Sequence, residues 1–253
     1  MTQQFEGKAA LITGGGSGVG QASALALAAE GCLVTVCGRT ARTLAETVGL
    51  VEAAGGSARF VQCDVADERS VQAAVEAAIG DSGRLDFGVN CAGVSGGDDL
   101  HLTAEYPTEM FDLMIATDLR GTFLSMKYEL KQMKAQGSGS IVNISSGAGL
   151  VGAAGFSGYT AAKHGQFGLT KTATLDYEPD GIRVNAIAAG LIDTPLIATG
   201  RSPEAMAARI AAHALGRIAQ PHEIADAVVW LCSDRSSFVT GAAVPVDGGY
   251  TAR

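Results

Sequence analysis

The chain has 253 residues, 47% of them hydrophobic and 17% charged, and its net charge is −8. Length and apolar content suffice for a large core, and the acidic balance excludes nucleic acid or an anionic membrane as the main partner. The opening "MTQQFEGKAALITGGG" has no basic stretch before a long apolar run, so neither a signal peptide nor a membrane span is expected.

No Pro/Ser-rich linker or charge block divides the sequence, and one domain over residues 1–253 is expected. Short apolar or β-branched runs predict strands at Ala9–Thr13, Leu33–Cys37, Arg59–Gln62, Phe87–Asn90, Ser140–Ile144, Arg183–Ile187 and Ala243–Val246. Ala-rich helical patterns lie between them, near 18–30, 41–54, 68–79, 107–135, 157–176 and 221–233. Continuous apolar strands alternating with helices specify an α/β fold: a doubly wound, Rossmann-type parallel sheet of about seven strands with helices on both faces. Ligands of such a sheet bind beyond the carboxyl ends of its strands, where the winding reverses.

The first strand runs into Thr13-Gly-Gly-Gly-Ser-Gly-Val-Gly20 and then a helix. Glycines admit positive φ and close backbone approach, and the free N–H groups at a helix start attract a pyrophosphate. A dinucleotide site is expected there. The five cysteines (Cys32, Cys37, Cys63, Cys91 and Cys232) are odd in number and lack a CxxC pair, which reads as buried thiols of a cytoplasmic protein. The four histidines are scattered without ligand spacing, so no metal site is expected.

Within "FSGYTAAKHGQFGLTKTA", Tyr159 and Lys163 stand four apart on an expected helix. Such residues share a face, with Cβ atoms about 5–6 Å apart, so a phenol and an ammonium point into the same space. An isolated pair of this kind is usually a solvated lysine beside a half-buried tyrosine; the rest of the sequence weighs against that here.

Several ordered motifs together resemble the short-chain dehydrogenase/reductase family along the whole length. They are TGxxxGxG at Thr13–Gly20, Asp64-Val65, "NCAG" at Asn90–Gly93, "IVNISS" at 141–146, Tyr159-xxx-Lys163, "IRVNAIAAGLIDTP" at 182–195 and "FVTGAAVPVDGG" at 238–249. The resemblance implies an oxidoreductase that moves a hydride between a nicotinamide and a secondary alcohol or ketone. It implies that Gly14, Gly18 and Gly20 shape the pyrophosphate turn, with Ser17 and Val19 beside them in the cofactor site. Asp64 and Val65 would contact adenine, Asn90 and Gly93 would line the cofactor groove, and Ile192 and Thr194 would hold the nicotinamide carboxamide. Ser146, thirteen residues before Tyr159, would bond the substrate oxygen, while Ser145 would be structural. A homotetramer is implied, with helices 107–135 and 157–176 and the C-terminal "VDGGYTAR" at interfaces.

The chemistry fits the residues. A free phenol ionises near pH 10 and is a poor base at neutral pH. An ammonium beside it favours the phenolate, and a preorganised hydroxyl such as Ser146 stabilises a developing alkoxide. Lys163 would also bond the nicotinamide ribose. Three positions depart from the family pattern. Asp118 stands where asparagine is common and is retained as a candidate catalytic residue, Cys91 replaces a more usual Asn or Ala, and Ala189 replaces a Pro, which is expected to loosen the loop before Thr194.

The strand "CLVTVC" ends in Gly38-Arg39-Thr40, with glycine where NAD-using members carry an acid. Arg39 and Thr40 suit a 2′-phosphate, so NADP(H) is expected to be preferred, with NAD(H) possible. The substrate pocket is expected from Val94–Asp98, Ala148–Phe156 and Leu191–Ala214, with 191–214 as a substrate-binding segment and 195–210 a mobile lid. Its small apolar residues, such as Gly147, Leu150, Val151, Ala153, Phe156 and Leu196, suit a hydrophobic or cyclic ketone. A dinucleotide-binding regulatory protein of the same fold, with catalysis weakened or lost, is the alternative. Sugar-nucleotide epimerase or dehydratase chemistry would need an extra C-terminal substrate region beyond "VDGGYTAR".

Overall fold

Seven strands pair in the order β3-β2-β1-β4-β5-β6-β7, and every neighbouring pair is parallel. They are β1 Ala9–Thr13, β2 Leu33–Gly38, β3 Ser57–Gln62, β4 Phe87–Asn90, β5 Gly139–Ser146, β6 Ile182–Ala189 and β7 Ala243–Val246. The computed structural model describes residues 3–95, 100–195 and 202–252. Among them no helix is long and apolar enough to cross a membrane, and no group of three or more His, Cys, Asp or Glu side chains is placed to hold a metal ion.

The helices are α1 Gly18–Ala29, α2 Ala41–Ala53, α3 Glu68–Ile79, α4 Thr108–Met114, α5 Gly121–Gln136, α6 Ser157–Tyr177, α7 Pro203–Ala211 and α8 Pro221–Cys232. Strand alternation sends successive side chains to opposite faces, and β1 shows the result. Ala10 and Ile12 pack with Leu27 of α1, Leu44 of α2 and Ile224 of α8, whereas Leu11 packs with Val75 of α3 and Leu130 of α5. Each fully buried Leu or Ile contributes roughly 1.5–3 kcal/mol, so both layers are anchored through the same central strand.

The expected strands are all present, with β5 and β6 running on to Ser146 and Ala189. Two helical expectations differ. The long helix expected over 107–135 is interrupted by π-helical turns at Ile115–Arg120, which lie between α4 and α5. A helix that was not expected, α7, lies within the expected lid segment 195–210; Pro203 starts it and Ser202 Oγ caps it by accepting the Ala205 N–H at 3.2 Å. Residues 196–201 of that stretch lie outside the described residues.

One buried carboxylate is built into the sheet. Glu129 of α5 is 0% exposed, and its Oε2 accepts the Asn90 Nδ2–H at 3.0 Å. It fits because β4 carries glycine opposite: a Cβ on Gly88 would stand 2.6–2.7 Å from the Glu129 carboxyl atoms. Burial pushes this carboxyl up from 4.5 to about 7, against the opposing bond from Asn90. The ionised form is therefore penalised in the folded state only. That penalty is absent below the unfolded value, grows from pH 4.5 to about 7 and is complete above it, reaching about 3 kcal/mol. Glu129→Gln keeps the acceptor for Asn90 and removes the charge. Its stability advantage over the parent, measured by urea unfolding, should be about 3 kcal/mol larger at pH 8 than at pH 4.5; an equal difference at both pH values would show that Glu129 does not titrate in the core.

Candidate active site

The winding reverses between β1 and β4, so a crevice opens where these two strands end. Thr13 Oγ1 closes its floor by accepting the N–H groups of Cys91 and Ala92, each at 3.1 Å. Gly14 has φ 67°, and a Cβ there would lie 2.9 Å from Ala92 Cα and N. A Cβ on Gly20 would reach 2.4 Å from the Gly14 carbonyl oxygen, and one on Gly18 2.9 Å from Thr194 Cγ2. Only glycine lets the first turn of α1, the loop after β4 and the loop after β6 meet this closely.

Above that floor lies a groove of ≈ 460 Å³, bordered by Gly14, Ser17, Gly18 and Val19 on one side and by Gly93, Lys163, Ile192 and Thr194 on the other. Ser17 starts α1 in extended conformation with its hydroxyl making no capping bond, and the helix start supplies N–H donors. A glycine cradle that any Cβ would fill, a helix N-terminus and an ammonium are a donor set that fits a dinucleotide phosphate and its riboses.

The far end of the groove is made by β5 and α6. Alternation at the end of β5 turns Ser145 inward, where its hydroxyl donates to the Lys163 carbonyl at 3.1 Å. It turns Ser146 into the cleft, where Oγ accepts the Ala148 N–H at 3.2 Å. Tyr159 and Lys163 occupy one face of α6, with Lys163 Nζ 5.5 Å from the Tyr159 ring centroid. Lys163 is 5% exposed. Its Nζ donates to the Ile144 carbonyl at 3.3 Å and stands 3.9 Å from Asp118 Oδ2. Ser146, Tyr159, Ala189 and Gly190 also border a second cavity of ≈ 280 Å³, whose other walls include Ala148, Ala153, Phe156 and Leu191.

Asp118 lies behind the groove rather than in its wall. Its Oδ1 accepts the Val94 N–H at 2.8 Å, and a Cβ on Gly93 would come within 3.1 Å of it. Burial pushes the Asp118 carboxyl up, opposed by the Lys163 charge and the Val94 bond. Asn90 is not brought to the groove. Its amide donates to Glu129 and to Asn143 Oδ1, each at 3.0 Å, inside the sheet, because the second residue of the pair Val89-Asn90 faces the α5 layer. Arg39 and Thr40 are exposed at the end of β2, and Gln62 Nε2 donates to the Arg39 carbonyl at 3.2 Å. Asp64 is exposed, its Oδ1 accepting the Ala66 N–H at 3.0 Å. Val65 is 6% exposed, and a Cβ on Gly121 would meet it at 2.7 Å. These four lie along the neighbouring strand ends, outside the groove's lining.

Ala189 ends β6 paired with Val246, and the next residue, Gly190, donates to the Val246 carbonyl at 3.1 Å. The expected pocket residues Gly96–Asp98 and Leu196 lie outside the described residues. Arg209 and His213, within the expected segment Leu191–Ala214, border the second cavity, and so does Tyr250, which sequence reasoning did not single out. Tyr250 arrives there because Gly248 (φ 59°) and Gly249 (φ 81°) turn the chain back. Those glycines were the available signal.

A family model described as "Enoyl-(Acyl carrier protein) reductase" matches residues 14–251. A cyclohexanol dehydrogenase of Acinetobacter sp. (strain SE19) is 42% identical over 253 residues, covering 100% of this chain and 98% of its own. A cis-4-hydroxycyclohexanecarboxylate dehydrogenase of Sinomonas cyclohexanicum is 42% identical, with 100% of both chains covered. The crystal structure of a levodione reductase superposes with TM-score 0.93 at 37% identity, over 98% of this chain and 99% of the other. Similar folds are solved with either dinucleotide. An NADP-bound putative 2-deoxy-D-gluconate 3-dehydrogenase from Agrobacterium tumefaciens has TM-score 0.89, 34% identity and coverage of 100% and 99%. An NAD+-bound xylitol dehydrogenase has TM-score 0.91, 32% identity and coverage of 97% and 100%.

The glycine turn makes a prediction of opposite signs. Gly14→Ala combines a left-handed φ with a backbone contact at 2.9 Å and should lower unfolding free energy by at least about 2 kcal/mol. Gly49→Ala, in α2 with nothing within 4 Å, should raise it by about 0.4–1 kcal/mol. Denaturant titration of both variants checks this; parental stability in Gly14→Ala would mean that the turn and the 91–93 loop are not packed together.

Proposed function

The chain belongs to the short-chain dehydrogenase/reductase family, a hydride-transfer oxidoreductase of secondary alcohols and ketones on a fold that binds nicotinamide dinucleotides, and we propose that Tyr159 is its general acid/base. The observation that carries this reading is that Ser146 and Tyr159 stand in the wall common to the glycine-lined groove and the second cavity beside it. A substrate oxygen placed at that wall meets both hydroxyls.

A bound nicotinamide would supply or take up the hydride. Everything else is done by the chain. Tyr159 gives its phenolic proton to the carbonyl oxygen in reduction and removes the hydroxyl proton in oxidation. Ser146 Oγ donates to the same oxygen and stabilises negative charge on it. Lys163 Nζ stands 5.5 Å from the phenol ring, and its remaining N–H bonds are available for ribose hydroxyls. Asp118 fixes Val94 and counters the Lys163 charge. The groove residues Gly14, Ser17, Gly18, Val19, Gly93, Ile192 and Thr194 bind the dinucleotide, with Gly20 backing the turn and Asp64 and Val65 at the adenine end.

The second cavity is small and walled by Ala148, Ala153, Phe156, Leu191, Ala208 and Ala212. We read its substrate as a hydrophobic cyclic secondary alcohol or its ketone, in line with the relative named for cyclohexanol, and the segment 191–214 as the substrate-binding part of one domain. The assembly we propose is a cytoplasmic homotetramer. Exposed Phe111, Leu113, Phe123 and Leu175 on α4, α5 and α6 supply apolar surface for helix packing between copies.

Tyr159→Phe should cut kcat with cyclohexanol by at least about 10²-fold while cofactor affinity, followed by fluorescence titration, stays within about twofold. Turnover like the parent's would overturn the role of Tyr159.

For the dinucleotide, Arg39 is exposed beside Gly38, and a Cβ on Gly38 would meet nothing nearer than Leu44 Cδ2 at 3.6 Å. The guanidinium suits a 2′-phosphate, and there is room for the acid that would repel one. A charge-assisted bond of about 1.5–3 kcal/mol corresponds to about 10- to 150-fold. Steady-state kinetics should show NADP(H) preferred by at least about tenfold in kcat/KM, with Gly38→Asp reversing the order. Equal or better efficiency with NAD(H) in the parent would make Arg39 a surface residue.

A further inference from the structure

Helix α7 forms one side of the second cavity through Ala208, Arg209 and, just beyond its end, Ala212. None of its residues from Pro203 to Ala211 is buried, and Arg209 lies over the Phe156 ring at 5.2 Å. The first buried residue that follows is His213, 8% exposed. Its imidazole bonds on both edges: Nε2 accepts the Leu191 N–H at 3.0 Å, and Nδ1 stands 2.8 Å from the Arg209 carbonyl oxygen. A backbone amide only donates and a carbonyl only accepts, so the ring must be the neutral tautomer with its proton on Nδ1. Tyr250 stacks on its face, with centroids 5.0 Å apart and planes at 26°. Tyr250 in turn lies against Gly147, where a Cβ would meet its Cδ1 at 2.7 Å.

Leu191 immediately precedes Ile192, which with Thr194 borders the groove. That loop has other backbone ties. Gly190 donates to Val246 at 3.1 Å, Ala219 donates to the Leu191 carbonyl at 2.9 Å, and Asp193 donates to Ala219 at 2.9 Å. The loop therefore keeps its place without the imidazole, whereas α7 loses the side chain that ties its last turn to the loop. The geometry points to His213 as a positioning residue: one imidazole fixes the substrate-side wall α7 against the cofactor-side loop, and so sets how the substrate is held against Tyr159 and Ser146. This rests on the reading of that wall as the site of reaction. His213 itself moves no proton to the substrate.

A wall that is held equally in ground and transition states affects KM more than kcat. With cyclohexanol as probe, His213→Phe, which keeps a ring for Tyr250 and loses both bonds, should raise KM at least about fivefold. Its kcat at saturation and its affinity for the dinucleotide should stay within about twofold of the parent. Glutamine carries one acceptor and one donor like the neutral imidazole, so His213→Gln should return KM to within about twofold of the parent. A parental KM in His213→Phe overturns the proposal, and so does an equal defect in His213→Gln. Where His213→Phe does not yield folded protein, His213→Leu is read by the same criteria. Tyr159→Phe run in parallel separates the two readings: activity surviving there removes the site itself, whereas an inert Tyr159→Phe beside a parental KM in His213→Phe removes only the positioning role.

Discussion

A lysine ammonium with 5% exposure is the condition that the β5–α6 end of this fold has to meet. An isolated charge in a protein interior is expensive unless fixed dipoles or a counter-charge replace its water. Here the replacements come from three directions: the Ile144 carbonyl at 3.3 Å, the Asp118 carboxyl at 3.9 Å and the π-face of Tyr159 at 5.5 Å. Each belongs to a different part of the chain, namely β5, the π-turns before α5, and α6 itself. The charge can be accommodated only if all three stand in register. Ser145 reinforces that register by bonding the Lys163 carbonyl from β5, and Asp118 extends it to the loop after β4 through Val94.

The π-turns are part of the same arrangement. A wide turn in a long helix disturbs the backbone ladder and needs other donors for its carbonyls. The Asp118 carbonyl receives them from Thr122 Oγ1 at 2.7 Å and Gln166 Nε2 at 2.8 Å. From Gln166 the buried polar chain continues. Its carbonyl accepts from Thr170, which accepts from Asn143, whose Oδ1 accepts from Asn90. This run of side chains joins α6, the π-turns, β5 and β4 beneath the groove. Buried polar groups bonded in this way fix a single arrangement of their elements, since each lost partner leaves an unsatisfied group behind. The Tyr159–Lys163 face of α6 and the groove after β4 are thereby one structural unit.

Most of this architecture was legible in the sequence, for identifiable reasons. Continuous apolar strands such as Ala9–Thr13 can be buried on both faces only in a sheet covered on both sides. A glycine cluster directly after such a strand has few structural meanings, and Tyr159 with Lys163 on one helical face followed from spacing alone. What escaped was set by tertiary contacts without a local signature. Asn90 sits in a motif at the groove's edge, yet strand alternation turns its amide toward Glu129 and Asn143. Helix α7 buries no residue and so carries no core-facing stripe to read. Tyr250 reaches the second cavity by a chain reversal at Gly248 and Gly249 near the end of the chain. The π-turns leave no mark in a helical pattern that simply runs on through Ile115–Arg120.

The glycine on β4 and the glutamate on α5 carry a consequence for how this sequence can change. The Glu129 carboxyl fills the volume that any Gly88 side chain would claim, to within 2.6–2.7 Å. A neighbouring lineage that placed an apolar residue at 88 would gain strand propensity and lose a buried carboxyl, a better core on both counts. Changing 88 first would push the Glu129 carboxyl off its bond from Asn90. Shortening Glu129 first avoids that displacement and leaves a void beside Asn90. Positions 88 and 129 therefore share one volume, and a change at either is felt at the other.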